Sequence, residues 1–277
     1  MPLATCFHLV LAVGVMGSAS CERVGHSAGD SSMGSQLVFR DAAGRELTAD
    51  QLKDISGTVR WELIGAEAIP AEALRLHSEA RTAGRRGDYG RALMLLDEAH
   101  GLAPNWPYPV YDKAFTYLLQ GDSIRAEEHY AEVDRMAPRG FFTAKTSLDC
   151  LRRERAGVVP PGFCQAFVTL EWMDDKVKKR AILEGIVEKF PAFPAAWKEL
   201  SSLLDDDVAR LRAIMRGLEH DPDRETKGML LINRAMLLHR RGDVDGAIAI
   251  LGELALDPQS TLGVETMAKA MLARIVR

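Results

Sequence analysis

Residues 87–104 read GDYGRALMLLDEAHGLAP, and residues 121–138, at an offset of 34, read GDSIRAEEHYAEVDRMAP. Gly87-Asp88, Ala92, Leu96 and Pro104 therefore return as Gly121-Asp122, Ala126, Tyr130 and Pro138. Each recurring residue has a physical task. Glycine accepts the positive φ of a tight turn between antiparallel helices, and the aspartate after it caps the next helix. The small alanine lets two helices approach closely, and the proline ends one helix and starts the next. Residues 242–258 (GDVDGAIAILGELALDP) carry the same signature, with Pro258 one position early. A second, shorter period lies between these copies. Asp174-Asp175, Val177 and Pro191 recur at an offset of 31 as Asp205-Asp206, Val208 and Pro222. Self-similarity at such a period predicts stacked supersecondary units rather than globular domains.

These residues resemble the tetratricopeptide repeat (TPR). Ala80, Gly87-Asp88-Tyr89, Ala92, Leu96, Ala99 and Pro104 match the family pattern in a first unit. Ala114, Tyr117, Gly121-Asp122, Ala126, Tyr130 and Pro138 match it in a second, and Ala235, Leu238, Gly242-Asp243, Ala247 and Leu251 in a last. The Trp and Leu usual in the first helix of a unit are found as Trp197 and Leu200, in one of the two short units. The resemblance implies a mostly α chain, an α-solenoid of about five helix pairs over 70–277. Its units span about 71–104, 105–138, 162–191, 192–222 and 225–258. Residues 141–156 read as an extra helix with Phe141, Ala144, Leu148 and Leu151 on one face, and 266–276 as a capping helix. An end repeat needs such a cap, since its core is otherwise exposed.

Ahead of the array, residues 37–69 form a small strand–helix–strand module by pattern. Thr58 to Leu63 alternates strictly, and Leu37-Val38-Phe39 is a second strand candidate. Thr48 and Gln51 make a capping box for a short helix between them. Residues 1–20 contain no Asp, Glu, Lys or Arg, and an apolar run from Phe7 to Met16 precedes small residues. That is a secretory signal peptide by its pattern, too short to span a membrane; the alternatives are a buried N-terminal helix and a cytoplasmic protein. Ser18-Ala19-Ser20-Cys21 resembles a bacterial lipobox, which makes Cys21 the candidate lipidation site, although Ser18 stands where that motif prefers Leu. Residues 21–36, rich in Gly and Ser, suit a flexible tether. The expected location is therefore exported, either periplasmic or lipid-anchored to a membrane. With Cys6 in the signal and Cys21 accounted for, Cys150 and Cys164 remain. They are either bridged across Pro160-Pro161-Gly162 or two buried thiols.

Composition narrows the function classes. The 277 residues carry a net charge of −4, which disfavours a broad nucleic-acid surface, and apolar residues make up 47%, as in folded proteins. No glycine-rich phosphate loop, His-Glu-x-x-His pair, nucleophile elbow or paired-cysteine metal site occurs in the sequence. No cofactor or metal is expected, and Asp205-Asp206-Asp207 reads as a helix N-terminus. The resemblance instead implies a non-catalytic interaction scaffold or assembly factor of the cell envelope. It would bind a protein or peptide partner in the concave groove lined by the first helix of each pair. Carried over position by position, the groove residues are Leu74, His77 and Arg81, then Tyr108, Tyr111 and Phe115, then Lys198 and Ser202, and finally Met229, Ile232 and Met236. Aromatic and Met side chains suit such contacts, but the same side chains also suit packing against a neighbouring helix. The rival class is an enzyme or small-ligand binder using His77, Arg81 and Asp112 between the leading module and the first repeats.

Overall fold

The computed structural model describes residues 36–40, 46–47, 60–64 and 69–276. The expected signal peptide, tether, Cys21 and the short helix at 48–55 lie outside these residues. Three short strands come first: β1 (Gln36–Arg40), β2 (Glu46–Leu47) and β3 (Arg60–Ile64). β1 pairs antiparallel with both others, in the order β2-β1-β3, with Phe39 opposite Leu47 and Trp61.

Twelve helices follow in the described chain. They are α1 (Ala71–Arg85), α2 (Tyr89–Leu102), α3 (Pro107–Leu119), α4 (Ser123–Met136), α5 (Ala144–Arg155) and α6 (Phe163–Val168). After a 3-10 turn at Thr169–Trp172 come α7 (Lys176–Lys189), α8 (Pro194–Leu203) and α9 (Asp207–Glu219). The last three are α10 (Arg224–Arg240), α11 (Val244–Leu256) and α12 (Leu262–Ile275). Together they build an α-solenoid. Its pairs are α1–α2, α3–α4, α8–α9 and α10–α11; the expected unit at 162–191 is not such a pair, because the short α6 packs on α5 while α7 packs on α8, and α12 closes the last pair.

The Gly-Asp turns share one construction. Gly87, Gly121 and Gly242 have φ of +80°, +79° and +87°. The following Asp N–H reaches back to Ala83 O, Tyr117 O or Leu238 O at 3.0 Å in every copy, the bond that ends a helix on a left-handed residue. The same Asp then caps the next helix, accepting from Arg91 N at 3.1 Å, Arg125 N at 3.0 Å and Gly246 N at 2.9 Å. The short units lack the glycine and keep only the cap. Asp175 accepts from Lys178 N and Asp206 from Ala209 N, so the carboxylate run at 205–207 opens a helix.

The pairs close on small residues. Ala80 with Ala92, Ala114 with Ala126, and Ala235 with Ala247 are all essentially inaccessible, and Leu96, Tyr130 and Leu251 are fully buried beside them. Each such large side chain stabilises its unit by roughly 1.5–3 kcal/mol.

Two helices begin elsewhere than their sequence patterns suggested. Phe141 does not open the extra helix, because Gly140 (φ +91°) and Phe142 (φ +47°) cannot continue one; α5 starts at Ala144. The terminal helix starts at Leu262, four residues before the expected 266, because the Thr261 hydroxyl caps it through Val264 N.

The array also meets itself. The backbone N–H of Leu262 donates to Arg139 O at 2.7 Å. The Arg139 guanidinium donates to Ser260 O at 3.1 and 3.2 Å and pairs with Glu265. The α4–α5 junction is thus tied to the α11–α12 junction. Helix α5 completes the closure. Its Thr146 bonds Thr226 of α10 at 3.2 Å, and Arg153 reaches Ala192 O, His220 O and Asp221 O. Cys150 and Cys164 are joined by a disulfide, with Cα atoms 5.9 Å apart, pinning α5 to α6. No helix among the described residues is long and apolar enough to cross a membrane.

Candidate functional site

The residues the pattern assigns to a groove divide into three groups. The first centres on α1 and α3. His77 Nε2 lies 2.8 Å from Asp112 Oδ2, and Arg81 Nε lies 3.6 Å from the same oxygen. Aromatic rings enclose the imidazole, Trp106 at 4.8 Å and Tyr108 at 5.7 Å between centroids, both edge-on. His77, Arg81 and Asp112 do come together, but as a strut between two first helices. His77 is only 7% exposed. An open cavity at this end, lined by Ser78, Thr82, Arg86, Asp88 and Arg91 among others, contains none of the three.

Tyr108 and Tyr111 continue this surface and meet residues of the same chain. Phe141 lies 4.7 Å from Tyr108 and 5.7 Å from Tyr111, and Phe142 lies 5.3 and 5.4 Å from them. The Tyr111 hydroxyl and the Thr143 hydroxyl are 2.8 Å apart. Such edge-on pairs stabilise by roughly 0.5–1.5 kcal/mol each beyond simple burial. Burial pushes the Tyr108 phenol up; Arg81 opposes the shift and Asp112 adds to it. Phe115 packs on the core that Tyr130 and Leu148 share.

The second group is charged. Lys198 and Lys179 both hold Glu199, at 2.9 and 3.0 Å. Burial works to raise the Glu199 carboxyl, but the two ammonium groups overcome it and hold it down at about 2. Glu225 goes the other way. Burial pushes it up, against the hydrogen bond from Thr261, with Asp223 adding and Lys198 and Lys145 opposing. Asp149 on α5 is likewise raised by burial, although Arg153 bonds it at 2.7 Å. Lys198 therefore faces an internal ion network between α5, α7, α8 and α10.

The third group lies on α10. Ile232 is 4% exposed and packs in the core with Leu251 and Val264, with Met229 and Met236 beside it. Ile232 is a core residue, not a groove residue, because α12 covers the face that the repeat pattern assigns to a partner. The aligned positions are thus three separate neighbourhoods, of which the one at α1–α3 is aromatic.

Sequence reasoning passed over Trp106, Arg139 and Phe142. The signal available was an aromatic pair after a glycine, Gly140-Phe141-Phe142, placed where the period of 34 breaks.

A family model for the tetratricopeptide repeat matches residues 228–253, which cover most of α10 and most of α11. No curated protein matches the chain. Among solved structures, MamA from Desulfovibrio magneticus RS-1 is 18% identical, covers 67% of this chain and 94% of its own, and superposes with a TM-score of 0.33. A thermophilic TPR protein of Thermus thermophilus is 17% identical over 72% of this chain and 98% of its own, at a TM-score of 0.30. A tetratricopeptide repeat protein of Parabacteroides merdae is 11% identical over 76% and 86%, at 0.34. None of these likenesses says what this chain binds. The match at 228–253 falls on a helix pair whose Gly-Asp turn is built like those of the first two pairs, so what this stretch resembles is one tetratricopeptide repeat.

Proposed function

We propose that this protein is a non-catalytic interaction scaffold or assembly factor of the bacterial cell envelope, and that it binds a segment of a protein partner against the aromatic surface of its first two helix pairs. The observation that carries the reading is the pair Trp106 and Tyr108 beside Arg81 on stacked repeats, since aromatic and Arg side chains are the ones that anchor interfaces. A repeat array offers extended surface and few enclosed pockets.

Export rests on separate support. The first 20 residues follow the signal-peptide pattern, Cys21 suits lipid attachment, and a disulfide between Cys150 and Cys164 suits an oxidising compartment. The strands between 36 and 64 form a small module leading the solenoid in this reading.

A photoreactive amino acid placed at Arg81 or Tyr108 in the native host tests the binding surface. One partner captured from both positions, and not from the outward Ile124 or Val177 (73% and 82% exposed), is the expected result. Equal capture from all four positions overturns the groove assignment. The mass of the mature protein tests export, and an intact Met1 eliminates it.

The enzyme reading keeps one favourable observation, the 2.8 Å contact between His77 and Asp112. That contact joins α1 to α3 inside packed aromatic rings, the arrangement of a structural strut.

A further inference from the structure

The aromatic surface that the proposed function assigns to a partner already has an occupant. Arg139 to Thr143 leaves α4, crosses Tyr108 and Tyr111, and enters α5. Phe141 sets its ring edge-on to both tyrosines and Phe142 edge-on to Tyr108 and tilted to Tyr111, all at 4.7 to 5.7 Å, and the Thr143 and Tyr111 hydroxyls share a hydrogen bond. These are the contacts an aromatic peptide would make there.

Two properties separate this segment from ordinary core. Phe142 holds φ at +47°, a conformation that costs a side-chain-bearing residue on the order of 1–3 kcal/mol, and it remains 43% exposed. Its ring contacts offset much of that cost, and a second restraint adds to them. The restraint is polar and distant. Arg139 is clasped by Ser260 O, by Glu265 and by the N–H of Leu262, at the entrance of the terminal helix. Gly140 lies so close to Thr261 that an added Cβ would come within 3.0 Å of it.

We propose that Arg139–Thr143 is an autoinhibitory strap. It occupies the partner surface as a built-in ligand, is held closed by the clasp on the C-terminal cap, and is displaced by a partner segment bearing adjacent aromatic residues. This rests on the groove reading above. A tethered strap acts at an effective concentration around the millimolar range, so an external segment binds in proportion to the fraction of open strap. Anything that loosens the clasp at Ser260–Glu265 raises that fraction. The cap helix is thereby coupled to the binding surface.

The strap's own sequence supplies the probe: a synthetic peptide spanning Pro138–Lys145, PRGFFTAK, with a benzophenone amino acid replacing its second Phe. Its binding to the full chain is compared with binding to Arg139→Gln, and backbone hydrogen exchange at 141–143 is followed in both. The expected result is at least tenfold faster exchange and at least tenfold tighter binding in the variant, with the photolabel on Tyr108 or Tyr111. Equal affinity in both proteins with the label at Tyr108 or Tyr111 leaves the groove standing and overturns the strap. A label confined to other faces means that the groove reading has failed, and the strap is then only a structural tie. Absence of binding to either protein also overturns the proposal. Should Arg139→Gln unfold, Glu265→Gln breaks the same clasp from the opposite side and is held to the same outcomes.

Discussion

At the scale of single residues, the glycines give the sharpest test of the packing. Gly228, inside α10, faces Val264 of α12 so closely that an added Cβ would lie 2.4 Å from one of its methyl carbons. Gly185, inside α7, has open space where its Cβ would be. Gly228→Ala therefore destabilises, by about 1–3 kcal/mol for an overpacked core. Gly185→Ala stabilises by roughly 0.5–1 kcal/mol through helix propensity. Urea unfolding of the two variants checks both signs. At this scale the sequence was legible wherever one residue type has one task. The aspartates after Gly87, Gly121 and Gly242 could be read as caps directly, since a short carboxylate beside a left-handed glycine has little else to do. Phe142 could not, because nothing local announces a phenylalanine held at positive φ. The residues just before it, Arg139 and Gly140, meet Ser260 and Thr261, more than a hundred positions away.

Among elements, α7 and α8 are joined by Glu199 and its two lysines. The carboxyl of Glu199 sits at about 2 in the folded protein against an ordinary value near 4.5. A depressed carboxylate contributes stability above its unfolded value and loses it as the pH falls toward the folded one. Glu199→Gln is therefore expected to cost a few kcal/mol at pH 7, with the gap from wild type closing between about pH 5 and pH 2. Thermal melts across that range measure the gap. Asp149 and Glu225, raised by burial, act in the opposite sense in wild type and variant alike, so they leave the difference unchanged. The paired helices were legible from their spacing, because each Gly-Asp turn and Pro stop is local. The role of α5 was not. Its apolar face at Ala144, Leu148 and Leu151 forecast burial, but periodicity names no partner helix. For the same reason Ile232 looked like a contact residue until α12 was found over it.

For the whole molecule, the solenoid followed from the sequence, and the closure did not. Repeat stacking is a nearest-neighbour property, whereas the Arg139 clasp depends on the summed rotation of every unit between. Two further measurements address this scale. Reduction of Cys150–Cys164, or Cys150→Ala with Cys164→Ala, is expected to lower the unfolding free energy by about 3 kcal/mol, the value for a loop of about 15 residues. Denaturant curves with and without reductant report it. Removal of residues 259–277 is expected to speed hydrogen exchange at 139–146 as well as in α10 and α11. In a purely linear array only α10 and α11 would respond.

The clasp also fixes how many helix pairs fit between its two halves. An open solenoid gains or loses a unit with little consequence, because each new pair merely moves the end. Here an added or deleted pair between α5 and α12 would rotate Glu265 away from Arg139. Repeat number between Arg139 and Glu265 is thus constrained as a ring's circumference is, and duplication, the usual way such arrays diversify, would have to proceed outside that stretch.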